Sequence, residues 1–211
     1  GATQALTFDG FDRLTRQGTV AYAYDGLDRV ASRSGTSFAY SGLSDDVVSD
    51  GTATYGRGPA GQVTGVARGQ SKRVALGDGH GDVVGGFDPA DTTLGAVSDS
   101  RAYDPFGVVT ASTGTPGAVG FQGDWTDPAT GQVDMGARWY APASGVFVSR
   151  DPFGYGGGDS VLANRYTYAA AAPTINVDPD GYAPRSTTDP CIDRRTFGGG
   201  GGGGGGDCGI G

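Results

Sequence analysis

Residues alternate with a period of two in segments along the N-terminal part of the chain, as in the large-small alternation of Val20-Ala21-Tyr22-Ala23-Tyr24. Side chains two apart share one face of a strand, so a period of two predicts β-structure. The alternating stretches are punctuated by a recurring segment. Phe8-Asp9-Gly10-Phe11-Asp12-Arg13-Leu14 is followed by Tyr24-Asp25-Gly26-Leu27-Asp28-Arg29-Val30 and by a degraded copy, Tyr40-Ser41-Gly42-Leu43-Ser44-Asp45-Asp46. The leading aromatics fall at 8, 24 and 40, a spacing of 16, and a weaker echo starts at Tyr55-Gly56-Arg57. The Asp-Gly pair after the aromatic is a turn signal, because Asp bonds nearby backbone and Gly accepts positive φ. Each unit therefore reads as a short hairpin whose apolar face is buried only by stacking on its neighbours. Gly and Pro interrupt most windows of helical length, and a helical turn is expected only over residues 159–168. The predicted fold class is all-β. After Tyr182 the alternation stops, and residues 183–211 are expected to be a flexible Gly-rich tail or linker.

Composition supports many tight turns. Glycine supplies 42 of 211 residues, against ~7% ordinarily. There is no Gly-X-Y period, which excludes collagen. A length of 211 residues allows one domain or two small ones and a buried core. The net charge of −8 and pI of about 4.4 argue against nonspecific binding to nucleic acid or an anionic membrane. No apolar stretch approaches the ~20 residues of a membrane span. The chain starts at Gly1 without a signal peptide, and is expected to be part of a larger polypeptide. Cys191 and Cys208 flank the glycine run 198–206. They read as two thiols in a flexible tail, or as a disulfide if the protein is exported, but not as a zinc site. No cofactor and no metal are expected. His80 has no nucleophile placed beside it, so no Ser-His-Asp or Cys-His reading survives. Its Asp/Gly-rich surroundings form one imperfect calcium β-roll turn, for which a plain turn is the simpler reading.

The chemistry concentrates near the C-terminus. Asp151-Pro152-Phe153-Gly154 recurs as Asp178-Pro179-Asp180-Gly181. Pro152 and Pro179 fix φ after each acid, and Gly154 and Gly181 let the chain turn back. Two carboxylates on rigid turns that approach within ~3 Å cannot both ionise, and sharing one proton is the minimum equipment for aspartic-protease-type hydrolysis. A single Asp-Pro-x-Gly is also simply good turn sequence. Arg138 could orient a carboxylate or stabilise an oxyanion, or be a structural ion pair. Trp125, Trp139, Tyr140 and Phe147 read as core, with a sugar-binding platform as the alternative.

The order of these pieces resembles the rearrangement-hot-spot (RHS, YD-repeat) family. Carrying the resemblance are the repeats above, Asp78-Gly79-His80-Gly81-Asp82-Val83-Val84-Gly85 and Tyr103-Asp104-Pro105-Phe106-Gly107. Phe121-Gln122-Gly123, Asp127-Pro128-Ala129-Thr130-Gly131, Gly136-Ala137-Arg138-Trp139-Tyr140-Ala141-Pro142, Arg165-Tyr166-Thr167-Tyr168 and Asn176-Val177-Asp178-Pro179 complete it. The match spans about residues 8–182. The chain departs from the family in a long spacer with glycines at 156–158, and in Ala169 to Ala172 where a Gly-Asn-Asn-Pro type turn is usual. The resemblance implies a YD-repeat β-shell segment over 1–100, an inward-curling core over 101–182, and a cleaved remnant over 183–211. It also implies self-cleavage at Tyr182–Ala183 by Asp151 and Asp178, assisted by Arg138. Nothing suggests a substrate in trans. The implied partners are the upstream shell of the same polypeptide, its own C-terminal peptide and, as an open alternative, a secretion apparatus or toxin-complex partner. The implied location is secreted or at the cell surface. A non-cleaving structural shell and a surface glycan-binding scaffold stand as alternatives.

Overall fold

A computed structural model describes residues 5–93, 97–152 and 163–187. The regular structure in them is almost all antiparallel β. The first sheet runs β1 (Leu6–Phe8), β2 (Leu14–Gln17), β3 (Val20–Tyr24), β4 (Val30–Arg33) and β5 (Thr36–Ser37), each strand beside its sequence neighbour. The second is a longer meander of β6 (Ala39–Tyr40), β7 (Val47–Ser49), β8 (Thr54–Arg57), β9 (Val63–Arg68), β10 (Ser71–Gly77), β11 (Val83–Phe87), β12 (Asp99–Tyr103) and β13 (Val109–Thr113). A third contains β14 (Trp125–Thr126), β15 (Val133–Asp134), β16 (Trp139–Ala141) and β17 (Val146–Phe147). The last is the pair β18 (Asn176–Val177) and β19 (Arg185–Ser186).

One turn geometry builds the repeats. In the turns beginning at Asp9, Asp25, Asp78 and Asp104, the first residue's N–H donates to the carbonyl four residues on, and the fourth residue's N–H donates back to the first carbonyl. In all four the Asp Oδ1 also accepts the N–H groups two and four residues later, at 2.8–3.1 Å. The fourth residue has positive φ: Asp12 at 61°, Asp28 at 64°, Gly81 at 87° and Gly107 at 86°. The strand register slips by one residue at each of these turns, as in a type I turn followed by a left-handed bulge residue. In the first two repeats the left-handed residue is thus Asp12 or Asp28, not the expected Gly10 or Gly26. Aspartate tolerates that region better than most side chains.

The spacing of 16 has a physical cause. Arg13 pairs with Asp9 of its own turn, reaches Asp28 of the next turn at 2.6 Å, and lies 4.9 Å from the Tyr24 ring centre. Arg29 repeats this: it pairs with Asp25, donates to the Gly42 and Ser44 carbonyls, and lies 4.4 Å from the Tyr40 ring. Tyr24 and Tyr40 in turn donate their hydroxyls to the carbonyls of Leu14 and Val30. Each unit is stapled to the next by one arginine and one tyrosine.

One buried cluster joins Leu14, Val20, Tyr22, Val30, Val47, Tyr55 and Val63 of the repeats to Val119, Trp125 and Trp139. A second holds Phe121, Val133, Met135, Tyr140, Phe147, Tyr168 and Ala169. Trp125, Trp139, Tyr140 and Phe147 are all buried, so these rings offer no platform to a sugar. The fully buried Asp127 ties the two halves together. It accepts two bonds from Arg33, at 2.6 and 2.8 Å, and one from the Tyr22 hydroxyl at 2.6 Å.

Three expectations need correction or restriction. The changeover expected near residue 100 falls inside β12, in mid-sheet, because the meander continues through it. The helical turn over 159–168 lies partly outside the described residues, and 163–168 form turns and an isolated bridge from Thr167 to Val146. The expected linker does not begin at 183: Arg185–Ser186 is a strand, paired with Asn176–Val177. Cys191 and Cys208 lie outside the described residues. No helix among the described residues is long and apolar enough to cross a membrane.

Candidate functional site

Asp178 begins a turn in which the Gly181 N–H donates to the Asp178 carbonyl at 3.4 Å. Gly181 has a φ of 68°. The turn lies on the 135–138 loop, where the Ala137 N–H donates to the Asp180 carbonyl at 3.2 Å. A Cβ on Gly181 would stand 2.7 Å from the Met135 carbonyl oxygen and 3.0 Å from the Arg138 nitrogen. Only glycine allows that approach at that φ. On the other side, the Asp151 N–H donates to the Arg165 carbonyl at 2.9 Å.

These backbone contacts bring the three proposed side chains together. The Arg138 guanidinium lies 3.2 Å from Asp178 Oδ2 through Nη2 and 3.4 Å from Asp151 Oδ2 through Nη1. Side-chain exposures are 2% for Arg138, 5% for Asp151 and 1% for Asp178. Arg138 also donates through Nε to the Gly181 carbonyl and through Nη1 to the Arg165 carbonyl. Its guanidinium carbon lies 3.6 Å from the centre of the Phe147 ring. One cation therefore touches both acids and the peptide group one residue before the Tyr182–Ala183 bond. Tyr182 and Ala183 are half-buried. Pro152 and Pro179 stand beside their acids, while Gly154 lies outside the described residues.

Burial pushes the Asp178 carboxyl up to about 7. Arg138 opposes the shift, and the carboxyls of Asp180 and Asp151 add to it. Desolvation outweighs the arginine because the site is nearly closed to water and Asp151 shares the same guanidinium. Asp178 Oδ1 is buried and accepts no hydrogen bond, the condition in which a carboxyl retains its proton. Arg138 contacts both acids.

Sequence reasoning missed Asp180 and Arg185. Asp180 occupies the variable position of its motif, yet it is buried. Its Oδ1 accepts the Tyr182 N–H at 3.0 Å, and its Oδ2 pairs with Arg185 at 2.6 Å. The available signal was an acid within the motif and an arginine five residues later. His80 lies in a repeat turn with Nδ1 3.1 Å from Asp82. Among the described residues no three His, Cys, Asp or Glu side chains converge to hold a metal ion.

No protein-family model matches the chain. The chain is 33% identical over 135 residues to the tRNA3(Ser)-specific nuclease WapA of Bacillus spizizenii, covering 62% of this chain and 6% of that protein. It is 30% identical over 141 residues to the tRNA nuclease WapA of Bacillus subtilis, covering 65% of this chain and 6% of that protein. It is 43% identical over 68 residues to the toxin protein Tse5 of Pseudomonas aeruginosa, covering 31% of this chain and 5% of that protein. The chain thus spans about 6% of the length of the first of these relatives. Among solved structures, the TcdB2-TccC3-Cdc42 crystal structure superposes with a TM-score of 0.64 at 16% identity, over 85% of this chain and 10% of that one. TcdB2-TccC3 without its hypervariable C-terminal region gives 0.62 at 17% identity, over 85% of this chain and 10% of that one. At such identities the likeness is one of fold.

Proposed function

Because the chain belongs to the RHS (YD-repeat) family of polymorphic toxins and toxin-complex shells, we propose that it forms the part of such a shell that cuts its own backbone after Tyr182. The observation that carries this reading is the single buried guanidinium of Arg138, which touches Asp151, Asp178 and the Gly181 carbonyl. A purely structural ion pair needs one acid; here two acids and the adjoining main chain converge on one cation.

The reaction is hydrolysis. Asp151 takes a proton from water, and the water oxygen attacks the carbonyl carbon of Tyr182. Asp178, whose proton is retained by burial, donates to the carbonyl oxygen as the tetrahedral intermediate forms. Collapse breaks the C–N bond, the amide nitrogen takes up a proton, and the products are a Tyr182 carboxylate and an Ala183 ammonium. Arg138 orients the two acids and holds the turn through the Gly181 carbonyl. The substrate bond lies four residues from Asp178 in the same turn, so its effective concentration is high, up to ~10⁵ M or more for aligned groups. One turnover suffices.

In this reading the protein encloses a C-terminal segment and severs its covalent link to the shell, and its route leads out of the producing cell through a secretion apparatus or a toxin-complex partner. The toxin named in Tse5 and the nuclease activity named in the WapA proteins set the precedent for the cargo's class. The test is the intact mass of the wild-type chain beside Asp178→Asn and Arg138→Met. Two species dividing at Tyr182–Ala183 in the wild type, and one uncut mass in both variants, support it. Unchanged processing in Asp178→Asn refutes the acid pair. A wild-type chain that stays whole even with its upstream repeats leaves the non-cleaving shell.

A further inference from the structure

The segment following the expected cut does not leave the core. β19 runs antiparallel to β18, with Arg185 opposite Val177 and Ser186 opposite Asn176. Beyond them the Thr187 N–H donates to the Ile175 carbonyl at 2.8 Å, and the Thr187 hydroxyl donates to the same oxygen at 3.2 Å. Arg185 crosses back over the turn to Asp180 at 2.6 Å, and Asp180 is 5% exposed. Every one of these contacts joins residues on opposite sides of the Tyr182–Ala183 bond, and none uses that bond.

We infer that the core carries a binding site for the segment 183–187, formed by the edge of β18 and the carboxylate of Asp180, which holds this segment as an added strand whether or not the chain is intact. The inference rests on the self-cleavage reading for its biological sense, since only a cut chain needs a second means of attachment. Main-chain hydrogen bonds along a strand edge supply affinity without sequence preference, and an anchor side chain supplies specificity. Here the ligand is a short peptide with an arginine at its third position, and the anchor pocket is a buried carboxylate. The same clasp serves before cleavage. The Tyr182 N–H donates to Asp180 and Arg185 pairs with it, so Asp180 grips the chain on both flanks of the bond to be broken. Asp180 and Arg185 are therefore positioning residues for the cut and the retaining contact after it.

Attachment through few contacts is reversible. An intramolecular clasp profits from the high effective concentration of a tethered segment, and the cut ends that advantage. The ion pair is partly open to water, with Arg185 26% exposed, so salt weakens it. Retention is thus expected to be firm in dilute buffer and to loosen as ionic strength rises.

The experiment uses the full chain, with amide hydrogen exchange followed at Thr187 and native size exclusion followed by denaturing intact mass. If the chain is cut, the two pieces should co-elute under native conditions and separate in denaturant. Arg185→Ala should release the C-terminal piece or speed Thr187 exchange at least tenfold. Arg185→Lys should restore part of the protection, and the Trp125 and Trp139 emission should stay as in the wild type, showing that the core remains folded. A cut wild type whose C-terminal piece elutes alone overturns the binding site and leaves the cleavage reading standing. An uncut wild type removes the cleavage reading, and Thr187 exchange then decides the site: slow in the wild type and fast in Arg185→Ala supports it. Exchange at the rate of an unstructured peptide in the wild type overturns it in either case.

Discussion

Replacing Asp178 by Asn removes one titrating proton from the buried cluster while keeping the shape of the side chain and an acceptor for Arg138. The folded-state value of Asp178 is raised from 3.8 to about 7. Below the unfolded value the group is protonated in both states. Between the two values the folded chain binds a proton that the unfolded chain has lost, so stability falls as pH rises and the contribution is gone above about 7. That gap corresponds to about 4 kcal/mol, a ceiling because Asp178 shares its site with Asp151, Asp180 and Arg138. Asp134, pushed up to about 8 by burial, and Asp45, raised by burial, act with the same sign. The wild-type curve should therefore be steeper than Asp178 alone makes it, and the variant should lose only the Asp178 share. The assay is urea unfolding followed by emission of Trp125 and Trp139 across about pH 4 to 8. Each curve is referred to its own value at the acid end, so a cut wild type and an uncut variant compare by slope. The wild type should fall by up to about 4 kcal/mol more than Asp178→Asn. Parallel curves, within about 1 kcal/mol, would refute the argument: Arg138 would then outweigh burial, and Asp178 would have no retained proton to give to the Tyr182 carbonyl oxygen.

Three further changes probe the frame around the site. Asp127→Asn should cost about 3 kcal/mol in urea unfolding, since Arg33 would lose the partner of a bidentate pair to a fully buried carboxylate; a loss below 1 kcal/mol would deny that this pair joins the repeats to the core. Gly181→Ala should cost at least ~2 kcal/mol, because its Cβ would meet fixed backbone at a positive φ. Gly26→Ala is its control, having open space and no positive φ, and equal losses in the two would sink the idea. Ala170→Gly should gain about 1 kcal/mol and a few degrees in Tm, because Ala170 holds a φ of 53° between Ala169 at 50° and Ala171 at 58°; a lower Tm would mean that the methyl's packing outweighs the strain.

Features set by local sequence were legible, and those set by contacts across the fold were not. The strands of the repeats followed from period-two alternation, as in Val20–Tyr24. The spacing of 16 was visible as a pattern, but its cause was not, because Arg13 reaches Asp28 only once two turns are stacked. Arg138 and the two acids were found by order and type, although their meeting depends on the backbone of Arg165 and on Gly181, which carry no chemical signal. Asp180 escaped because a variable motif position gives no hint that its side chain caps the N–H of Tyr182, two residues on. The first residues of the tail escaped for a related reason. Arg185–Ser186 is too short and too polar to read as a strand, and it is one only because the turn at Asp178 returns it to Asn176–Val177. The left-handed run at Ala169–Ala171 was signalled only indirectly, by alanines standing where Gly and Asn would be more comfortable.

The chain supplies its own control for the motif. Asp104-Pro105-Phe106-Gly107 has the same letters as the motif at Asp151 and, like the one at Asp178, closes its turn with the glycine N–H donating to the aspartate carbonyl at a positive glycine φ. Its carboxylate nevertheless does what those of Asp9, Asp25 and Asp78 do: it accepts the N–H groups of Phe106 and Val108, both at 2.9 Å. At Asp178 the equivalent N–H, that of Tyr182, is taken by Asp180 instead, and Asp178 turns inward to Arg138. The tetrapeptide therefore specifies a turn and no more. What converts a turn-capping aspartate into a candidate acid is a neighbour that relieves it of capping, an arginine that draws it inward, and enough surrounding core to exclude water. Asp104 lacks the arginine, and its turn is open to solvent at Phe106. The Asp178 turn thus needs no new kind of backbone element to present a buried carboxyl. The chain already places an aspartate at the start of the turns at Asp9, Asp25, Asp78 and Asp104, and what the turn at Asp178 adds is the buried Arg138 guanidinium, an Asp180 that takes the Tyr182 N–H, and the surrounding core.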